Sequence, residues 1–465
     1  MILLAKKKFN IDVQKKFADF SGDINPIHIC ENYSRKTIYG QTLVHGIHAV
    51  LWCLELLTKK KIYFNCVDIR FLKPIFLNEQ IYCYWKNKEN EIIIKNVNVT
   101  LCKIFITKVK KVEKIDNYLS FNKGRKIPSN KTIKDLEKLQ LKKNFINCNS
   151  NLKRKKKLFS NLQKIYGLSF VYEVCILSYI VGMEVPGLNS LFISTKIMLK
   201  SNIVLKKKFY KIINIEKRIG LVNLKFFGRT IESDIQTIVR QKPVKNPSFK
   251  IVKKFINDKE FKNMNALVIG GSRGIGEIIS KMIIAGGGNV KLTYYKGFEE
   301  AKKIKKEFQK LSKNNSIFEL NILNQEHLNK LKKVKKINCV FYLATPKILK
   351  SWNKKHDNQI SKIYKLFFFQ QFKKIVKIFK ENNNKLFFFY PSTVFIENNQ
   401  DGYQSYIKSK ILGENFCKKN KYKKFTFYYP RLPILVTDQN QSFFKLDPVS
   451  NIPILLEHLR NIKLD

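Results

Sequence analysis

The sequence predicts two architectures in one chain, an α+β region at the N-terminus and an α/β, doubly wound parallel sheet at the C-terminus. Three observations carry this. Residues 1–110 read as one helix, VHGIHAVLWCLELL, followed by strand-like runs IYFNCVDIRFL, QIYCYWK and EIIIKNVNVTLCKIFITKV, the pattern of an antiparallel sheet wrapped around a helix. Residues 157–245 repeat that order, with FVYEVCILSYIVG followed by SLFISTKIML, FYKIINIEK, RIGLVNLKFF and ESDIQTIVR. From residue 264 to 465 apolar strands (ALVIG, NVKLTYY, NCVFYLA, KLFFFYPS, FTFYYPRLPILV) alternate with helical stretches, the signature of a parallel sheet. Between these blocks, residues 111–156 form a basic linker with one short amphipathic stretch, KTIKDLEKLQLKK, and residues 246–263 form a second link.

A length of 465 residues exceeds what one core serves, and 44% hydrophobic content supplies apolar material for several. The start, MILLAKKKFN, is too short in apolar residues for a signal-peptide core, and no stretch reaches a membrane span, so a soluble, cytoplasmic chain without a membrane partner is expected. Nine cysteines lie scattered without a CxxC pair, which argues against zinc and disulfides; no metal is expected. The formal charge of +54 spreads along the whole chain beside many isoleucines and asparagines. It reads as compositional bias, and no nucleic-acid recognition motif accompanies it.

Two sites follow. The first combines Phe20-Ser21-Gly22-Asp23-Ile24-Asn25-Pro26-Ile27-His28 with Gly40-Gln41-Thr42-Leu43-Val44-His45-Gly46. These residues resemble the MaoC-type (R)-specific enoyl-thioester hydratases and dehydratases. Dehydrating a 3-hydroxyacyl thioester, the reaction the resemblance implies, needs a base for the α-proton and an acid for the leaving hydroxyl, and a carboxylate and an imidazole held by a rigid Asn-Pro turn can divide those roles. A helix N-terminus supplies donors for the enolate-like oxygen. The resemblance implies Asp23 and His28 as catalytic residues, Gly46 as the opening of the helix whose N–H polarises the thioester carbonyl, and a double hot dog over residues 1–245. In that fold the half at 1–110 carries the site and the half at 157–245 carries packing and acyl-chain surface. His45 and His48 are read as structural. Cys30 and Glu31 depart from the family pattern after the histidine.

The second site begins with Ala266-Leu-Val-Ile-Gly270-Gly271-Ser272-Arg273-Gly274-Ile275-Gly276, a strand, a glycine turn and a helix start. Tyr406 and Lys410 have the YxxxK spacing that puts both on one helix face. This combination resembles the short-chain dehydrogenases/reductases, a Rossmann-type fold. The resemblance implies Tyr406 as proton donor with its phenol pKa lowered by Lys410, and a hydroxyl residue on the developing alkoxide. A spacing of thirteen to the tyrosine favours Thr393 for that role, and residue type favours Ser392. Gly270, Ser272, Arg273, Gly274, Ile275, Gly276, Lys296, Lys410 and Thr437 are the expected cofactor-binding positions. Because the second strand ends LTYYKG with no acidic residue, and Arg273 and Lys296 offer cations to a 2′-phosphate, NADPH is expected. Departures stand at Ile269, Asn321 and Tyr342-Leu343-Ala344-Thr345, and no asparagine is evident on the helix that follows.

Together the sites imply 3-oxoacyl reduction plus 3-hydroxyacyl dehydration or enoyl hydration, on acyl-CoA or acyl carrier protein, with a homodimer through the reductase region. Two alternatives remain open: a reductase for an unrelated carbonyl or sugar, and an acyl-thioester-binding scaffold with one or both sites inactive.

Overall fold

A computed structural model of the chain describes residues 1–97, 99–112, 127–146, 158–200, 207–309, 314–351, 354–381, 385–420, 422–438 and 447–464. It divides into two compact units, Met1–Lys242 and Pro243–Asp465. The basic run at 153–157 lies outside the described residues.

The first unit is built on one ten-stranded sheet, all of its pairs antiparallel. Its N-terminal half holds β1 (Ile2–Lys8), α1 (Ile11–Ser21), two single-turn helices α2 (Pro26–Ile29) and α3 (Glu31–Ser34), and the long helix α4 (Gly46–Lys59). Strands β2 (Tyr63–Phe71), β3 (Gln80–Lys86), β4 (Glu91–Lys95) and β5 (Thr100–Val109) complete it. The other half holds α5 (Ile133–Glu137), β6 (Asn144–Phe145), α6 (Ser160–Tyr166) and α7 (Leu168–Tyr179), the last extended by a π-helical turn over Ile180–Glu184. Then follow β7 (Ser190–Leu199), β8 (Phe209–Glu216), β9 (Leu221–Phe227) and β10 (Ile231–Val239).

Strand order across the sheet is β1-β3-β4-β5-β2-β7-β10-β9-β8-β6, so the two halves are mirror-ordered around an antiparallel seam, β2 against β7. In each half the first strand after the long helix pairs with the last, and a strand preceding the helix closes the edge. Strands β3 and β9 alternate buried and part-buried residues along their length, the pleat that turns one face to the helices. Helix α4 buries most of its residues against that face, and α7 is buried on every side. One large core, from Phe9 to Ile235, serves the whole unit.

The expected linker 111–156 is corrected here for its described part. Residues 127–146 contribute the second half's edge strand, and Leu188 N–H donates to Ser129 O at 2.7 Å while Asn189 Nδ2 donates to Asn130 Oδ1 at 2.9 Å. Leu136 is buried in the unit's core and Ile133, Leu139 and Ile146 pack against it, but these apolar residues are spaced among so many lysines that the segment reads as polar.

The second unit holds a six-stranded parallel sheet made of β11 (Asn265–Ile269), β12 (Asn289–Tyr294), β13 (Ser316–Glu319), β14 (Cys339–Tyr342), β15 (Leu386–Phe389) and β17 (Phe425–Tyr428). A two-residue pair, β16 (Ser392–Thr393) and β18 (Arg431–Leu432), stands beyond its carboxyl ends. The order β13-β12-β11-β14-β15-β17 is that of doubly wound dinucleotide-binding sheets, with the switch between β11 and β14. The central strands are almost wholly buried, as strands covered on both faces must be. Helices α8 (Phe249–Lys253), α9 (Gly274–Ala285), α10 (Phe298–Gln309), α11 (Gln325–Leu331), α12 (Lys354–Lys365), α13 (Phe372–Lys380), α14 (Gln404–Lys419) and α15 (Asn451–Arg460) accompany the sheet. The second expected link, 246–263, is also corrected: Val252 of α8 and Phe261 are buried in this unit's core. A π-helical turn, Leu366–Gln371, joins α12 to α13. Among the described residues no single helix is long and apolar enough to cross a membrane.

Candidate functional sites

The first site forms where α1 ends. Gly22, in the left-handed region at φ 76°, caps α1 and turns the chain so that Asp23 enters the interior, 1% exposed. Asn25 then caps α2 by accepting from Ile27 N–H at 3.2 Å, while its Nδ2 donates to Gly182 O at 2.9 Å and Gly187 O at 3.1 Å. The Asn-Pro turn is thus riveted to the second half of the unit. Asp23 Oδ1 accepts from Asn25 N–H at 3.2 Å, and Oδ2 accepts from Ser178 Oγ on α7 at 2.7 Å. Burial pushes the Asp23 carboxyl above its ordinary range, against the pull of the His28 ring and of these two hydrogen bonds.

His28 Nδ1 lies 3.0 Å from Leu43 O, which fixes the tautomer: Nδ1 carries the proton and Nε2 presents its lone pair. Burial pushes His28 down to about 3, reinforced by His45 and opposed by Asp23. The result is a neutral imidazole beside a carboxyl that resists ionisation, two titratable groups driven toward opposite proton occupancies.

His45 caps α4, and its ring stacks on His28 at a centroid distance of 3.9 Å. Its ring nitrogens lie 2.7 Å from Gln14 Oε1 and 3.0 Å from Asp23 O. Both are therefore turned to protein oxygens, which makes His45 a positioning residue. Asp23, His28 and His45 bring their donor atoms within 4.8 Å of one another, yet those bonds describe a hydrogen-bonded acid–base cluster. His48 accepts from Gln14 Nε2 at 3.1 Å and stacks on Phe17. Gly46 is the first residue of α4 and has no intrahelical acceptor for its N–H. A Cβ there would meet the Phe71 ring at 2.7 Å, so glycine is the residue that fits.

Three participants carried no sequence signal. Ser178 and Gly182 lie on the second half's helix, and a Cβ on Gly182 would stand 2.3 Å from Asp23 Oδ1. Arg240, at the end of β10, lies close enough that its charge acts on both His28 and Tyr39. The second half therefore forms a wall of the site as well as packing, and in an apolar helix a lone serine and glycine do not stand out.

In the second unit, Gly270 takes φ 86° in the turn after β11, and a Cβ on Gly276 would lie 2.4 Å from Gly270 O. Gly274 opens the twelve-residue helix α9 at φ 56°, with only Thr437 Cγ2 within 4.0 Å of where its Cβ would be. Ser272 is buried and Ile275 half-buried in the same turn. The glycine turn thus leaves a cradle at a helix N-terminus, the arrangement that accepts a pyrophosphate. Arg273 is engaged, its Nη1 donating to Asp438 Oδ2 at 2.9 Å. Lys296 is exposed, 6.0 Å from the Tyr295 ring centroid. Lys347 also stands here: its Nζ is buried with no hydrogen-bond partner, and burial lowers it to about 8, with Asp438 opposing and Arg273 adding to the shift.

Tyr406 and Lys410 lie on α14, both buried. The expected lowering of the Tyr406 phenol by Lys410 is corrected. Burial among Tyr364, Phe368 and Phe395 raises it and Thr393 opposes that rise, while Lys410 Nζ stands 5.8 Å from the ring centroid. Lys410 Nζ donates to Pro391 O at 2.6 Å above the Phe368 ring, and burial pushes it down to about 7. Of the two hydroxyl candidates, Thr393 lies close enough to Tyr406 to lower its phenol, whereas Ser392 donates to Glu414, whose carboxylate is gripped by Arg431 at 3.0 and 2.9 Å. The expectation that this helix lacks an asparagine is corrected, since α12 begins early enough to include Asn358; the π-helical turn that follows has its carbonyls met by tyrosines, Tyr342 donating to Phe367 O at 2.5 Å and Tyr390 to Phe368 O at 2.9 Å.

Comparison with known proteins gives two kinds of likeness. Residues 7–109, within the first unit, match the family model described as MaoC like domain. No curated protein matches the chain. Among solved structures the chain is similar to an oxidoreductase, yciK, from E. coli, at 12% identity, TM-score 0.39, covering 44% of this chain and 92% of that one. It is also similar to a short chain dehydrogenase from Burkholderia cenocepacia in complex with NADP, at 15% identity, TM-score 0.37, covering 43% and 91%. A third is FolM alternative dihydrofolate reductase 1 from Brucella suis in complex with NADP, at 13% identity, TM-score 0.33, covering 36% and 72%.

Proposed function

We propose that the chain is a two-activity enzyme of acyl-thioester metabolism, in which the first unit dehydrates 3-hydroxyacyl thioesters (or hydrates 2-enoyl thioesters) and the second reduces the 3-oxoacyl form with NADPH. The observation that carries the reading is the opposed pair at Asp23 and His28, held at the start of α4 in a MaoC-like domain.

In the dehydration direction His28 Nε2 takes the α-proton and the Asp23 carboxyl gives its proton to the departing hydroxyl. The C–H and C–O bonds break, a C=C bond forms, and water leaves. Negative charge that grows on the thioester oxygen meets the Gly46 N–H at the positive end of α4. Ser178 and Asn25 hold the carboxyl still while it changes charge. This reading takes the first unit as a double hot dog, for which the mirrored strand order speaks.

In the second unit the residues fit a dinucleotide, the Gly270–Gly276 turn holding its pyrophosphate and Thr437 and Lys410 its nicotinamide end. Arg273, Lys296 and Lys347 form the cationic surroundings that favour a 2′-phosphate, with Asp438 tempering the first. When bound, the nicotinamide supplies the hydride. Tyr406 gives the proton to the carbonyl oxygen and Thr393 hydrogen-bonds it. The carrier is CoA or an acyl carrier protein, the place of action is the cytoplasm, and the second unit offers a homodimer surface. Covalent linkage raises the effective concentration of the shared 3-hydroxy intermediate.

The test adds NADPH and a 3-oxoacyl thioester to the full chain, following cofactor oxidation and then enoyl product. Asp23→Asn should stop enoyl formation by about 100- to 10,000-fold while oxidation continues, and Tyr406→Phe should stop oxidation. Given a 3-hydroxyacyl thioester directly, Tyr406→Phe should still form the enoyl product; its failure to do so in folded protein, or loss of cofactor oxidation from Asp23→Asn, refutes two separate sites, and thioester binding without turnover would make the chain a scaffold. Within the reductase site, Thr393→Ala should reduce kcat by about 100-fold and Ser392→Ala by less than about tenfold; the reverse order would return the role to Ser392.

A further inference from the structure

Arg240 is an arginine buried to 7% exposure with no carboxylate beside it among the described residues. Its backbone N–H donates to Asn189 O at 2.7 Å, and its side chain clamps the same turn, Nε donating to Ser190 O at 2.9 Å and Nη2 to Leu188 O at 3.1 Å. Those bonds use one edge of the guanidinium. Nη1, outside that edge, is buried without any hydrogen-bond partner. Carbonyl dipoles satisfy donors, but they do not neutralise a buried charge, and an arginine keeps its charge. A fold that needed only to hold the 188–190 turn could have done so with a neutral donor.

The neighbourhood of this cation is the first site. Arg240 holds the carbonyls of Leu188 and Ser190, and Asn25, which stands between Asp23 and His28 in the chain, donates through Nδ2 to the adjoining Gly187 O at 3.1 Å; Tyr33 on α3 shares the Leu188 carbonyl, its Oη donating at 3.4 Å. The catalytic side supplies no anion for it: Asp23 is committed to Ser178 and Asn25 and is held toward its neutral form by burial. A buried guanidinium with one unpartnered donor, on the turn that anchors Asn25 between the acid and the base, is complementary to an anionic oxygen that arrives with the substrate.

We propose that Arg240 is a substrate-anchoring residue, and that the Asp23–His28 site takes acyl thioesters bearing an anionic oxygen, a carboxylate on the acyl chain or a phosphate on the thiol carrier, which Nη1 binds. This rests on the hydratase reading above and adds a substrate class to it.

The test uses the full chain and four trans-2-enoyl thioesters, with a neutral or a carboxylate-ended acyl chain, each on pantetheine and on CoA. In the wild type an anionic substrate should exceed neutral enoyl-pantetheine in kcat/KM by about tenfold or more, the scale of one charge-assisted hydrogen bond, and Arg240→Met should erase that ratio while Arg240→Lys restores part of it. A ratio lost between acyl chains assigns the anion to the acyl carboxylate; one lost between CoA and pantetheine assigns it to the carrier phosphate. No preference in the wild type, or an equal loss on all four, overturns the proposal. Should Arg240→Met fail to fold, binding of the four saturated thioesters to the wild type decides by the same ratio. If the wild type turns over none of the enoyl thioesters yet binds the anionic saturated ones more tightly, the hydratase reading falls and the anion site stands.

Discussion

The two halves of the first unit share a strand order and differ in what stands before the long helix. In the first half α4 is preceded by the turns that carry Asp23, Asn25 and His28, and its N-terminus opens on Gly46. In the second, α6 runs into α7 through Gly167, and Tyr166 of α6 is spent on the backbone of Phe64, with bonds of 2.8 and 3.1 Å. No acid and base precede α7 among the described residues. Each long helix keeps one carboxylate that gathers backbone donors from a neighbouring segment. Glu55 receives Asn161 and Leu162 at the start of α6, and Glu173 receives Arg229, Thr230 and Ile231 in the β9–β10 turn. The difference teaches that the second half, which has no such turn, contributes instead the helix from which Ser178 and Gly182 stand against Asp23.

If that division is right, the largest effect from the second half should come from Gly182→Ala. The added methyl would collide with Asp23, and dehydration should fall by about 100-fold or more with reduction intact; a fall below about threefold would make the wall passive. Next, Glu173→Gln should cost about 2–3 kcal/mol, lowering the first unit's thermal midpoint by about 5–10 °C, and Glu55→Gln should cost less, because Glu173 is fully buried and receives more donors. Equal losses, read by calorimetry, would blur the distinction. The smallest effect is the sharpest on mechanism. Ser178→Ala removes a bond that favours the Asp23 carboxylate, so the pKa rises further, the acid form survives to higher pH, and the alkaline limb of dehydration should move up by about 0.5–1 pH unit. An unmoved limb would remove Asp23 as the acid.

Much of this was legible from sequence where chemistry and order are written locally. The Asp23–His28 turn, the Gly46 helix start, the glycine turn at 270–276 and the Tyr406–Lys410 spacing each sit within one short stretch. The alternation of β3 and β9 and the unbroken apolar runs of β14 and β15 likewise announced their sheets. What escaped depends on contacts between distant segments. Ser178 reaches Asp23 across 155 residues, from a helix whose pattern speaks only of burial. The polar run at 127–146 conceals an edge strand of two residues. Burial among aromatic rings acts on both Tyr406 and Lys410, and that burial is not written in the spacing of the pair, so the shift that the resemblance implied for the phenol comes out with the opposite sign.

The seam between β2 and β7 sets Cys66 opposite Met198 and Arg70 opposite Ser194. Side chains alternate across a sheet, so the smallest slip that keeps each face inward is two residues, a displacement of about 7 Å. Such a step would carry the π-helical turn before β7 well out of reach of Asp23, leaving the acid without Ser178. The backbone ladder therefore acts as a gauge block between the two helices: the sequences of α4 and α7 differ, while the spacing between them is kept by main-chain hydrogen bonds that side-chain changes other than to proline leave in place.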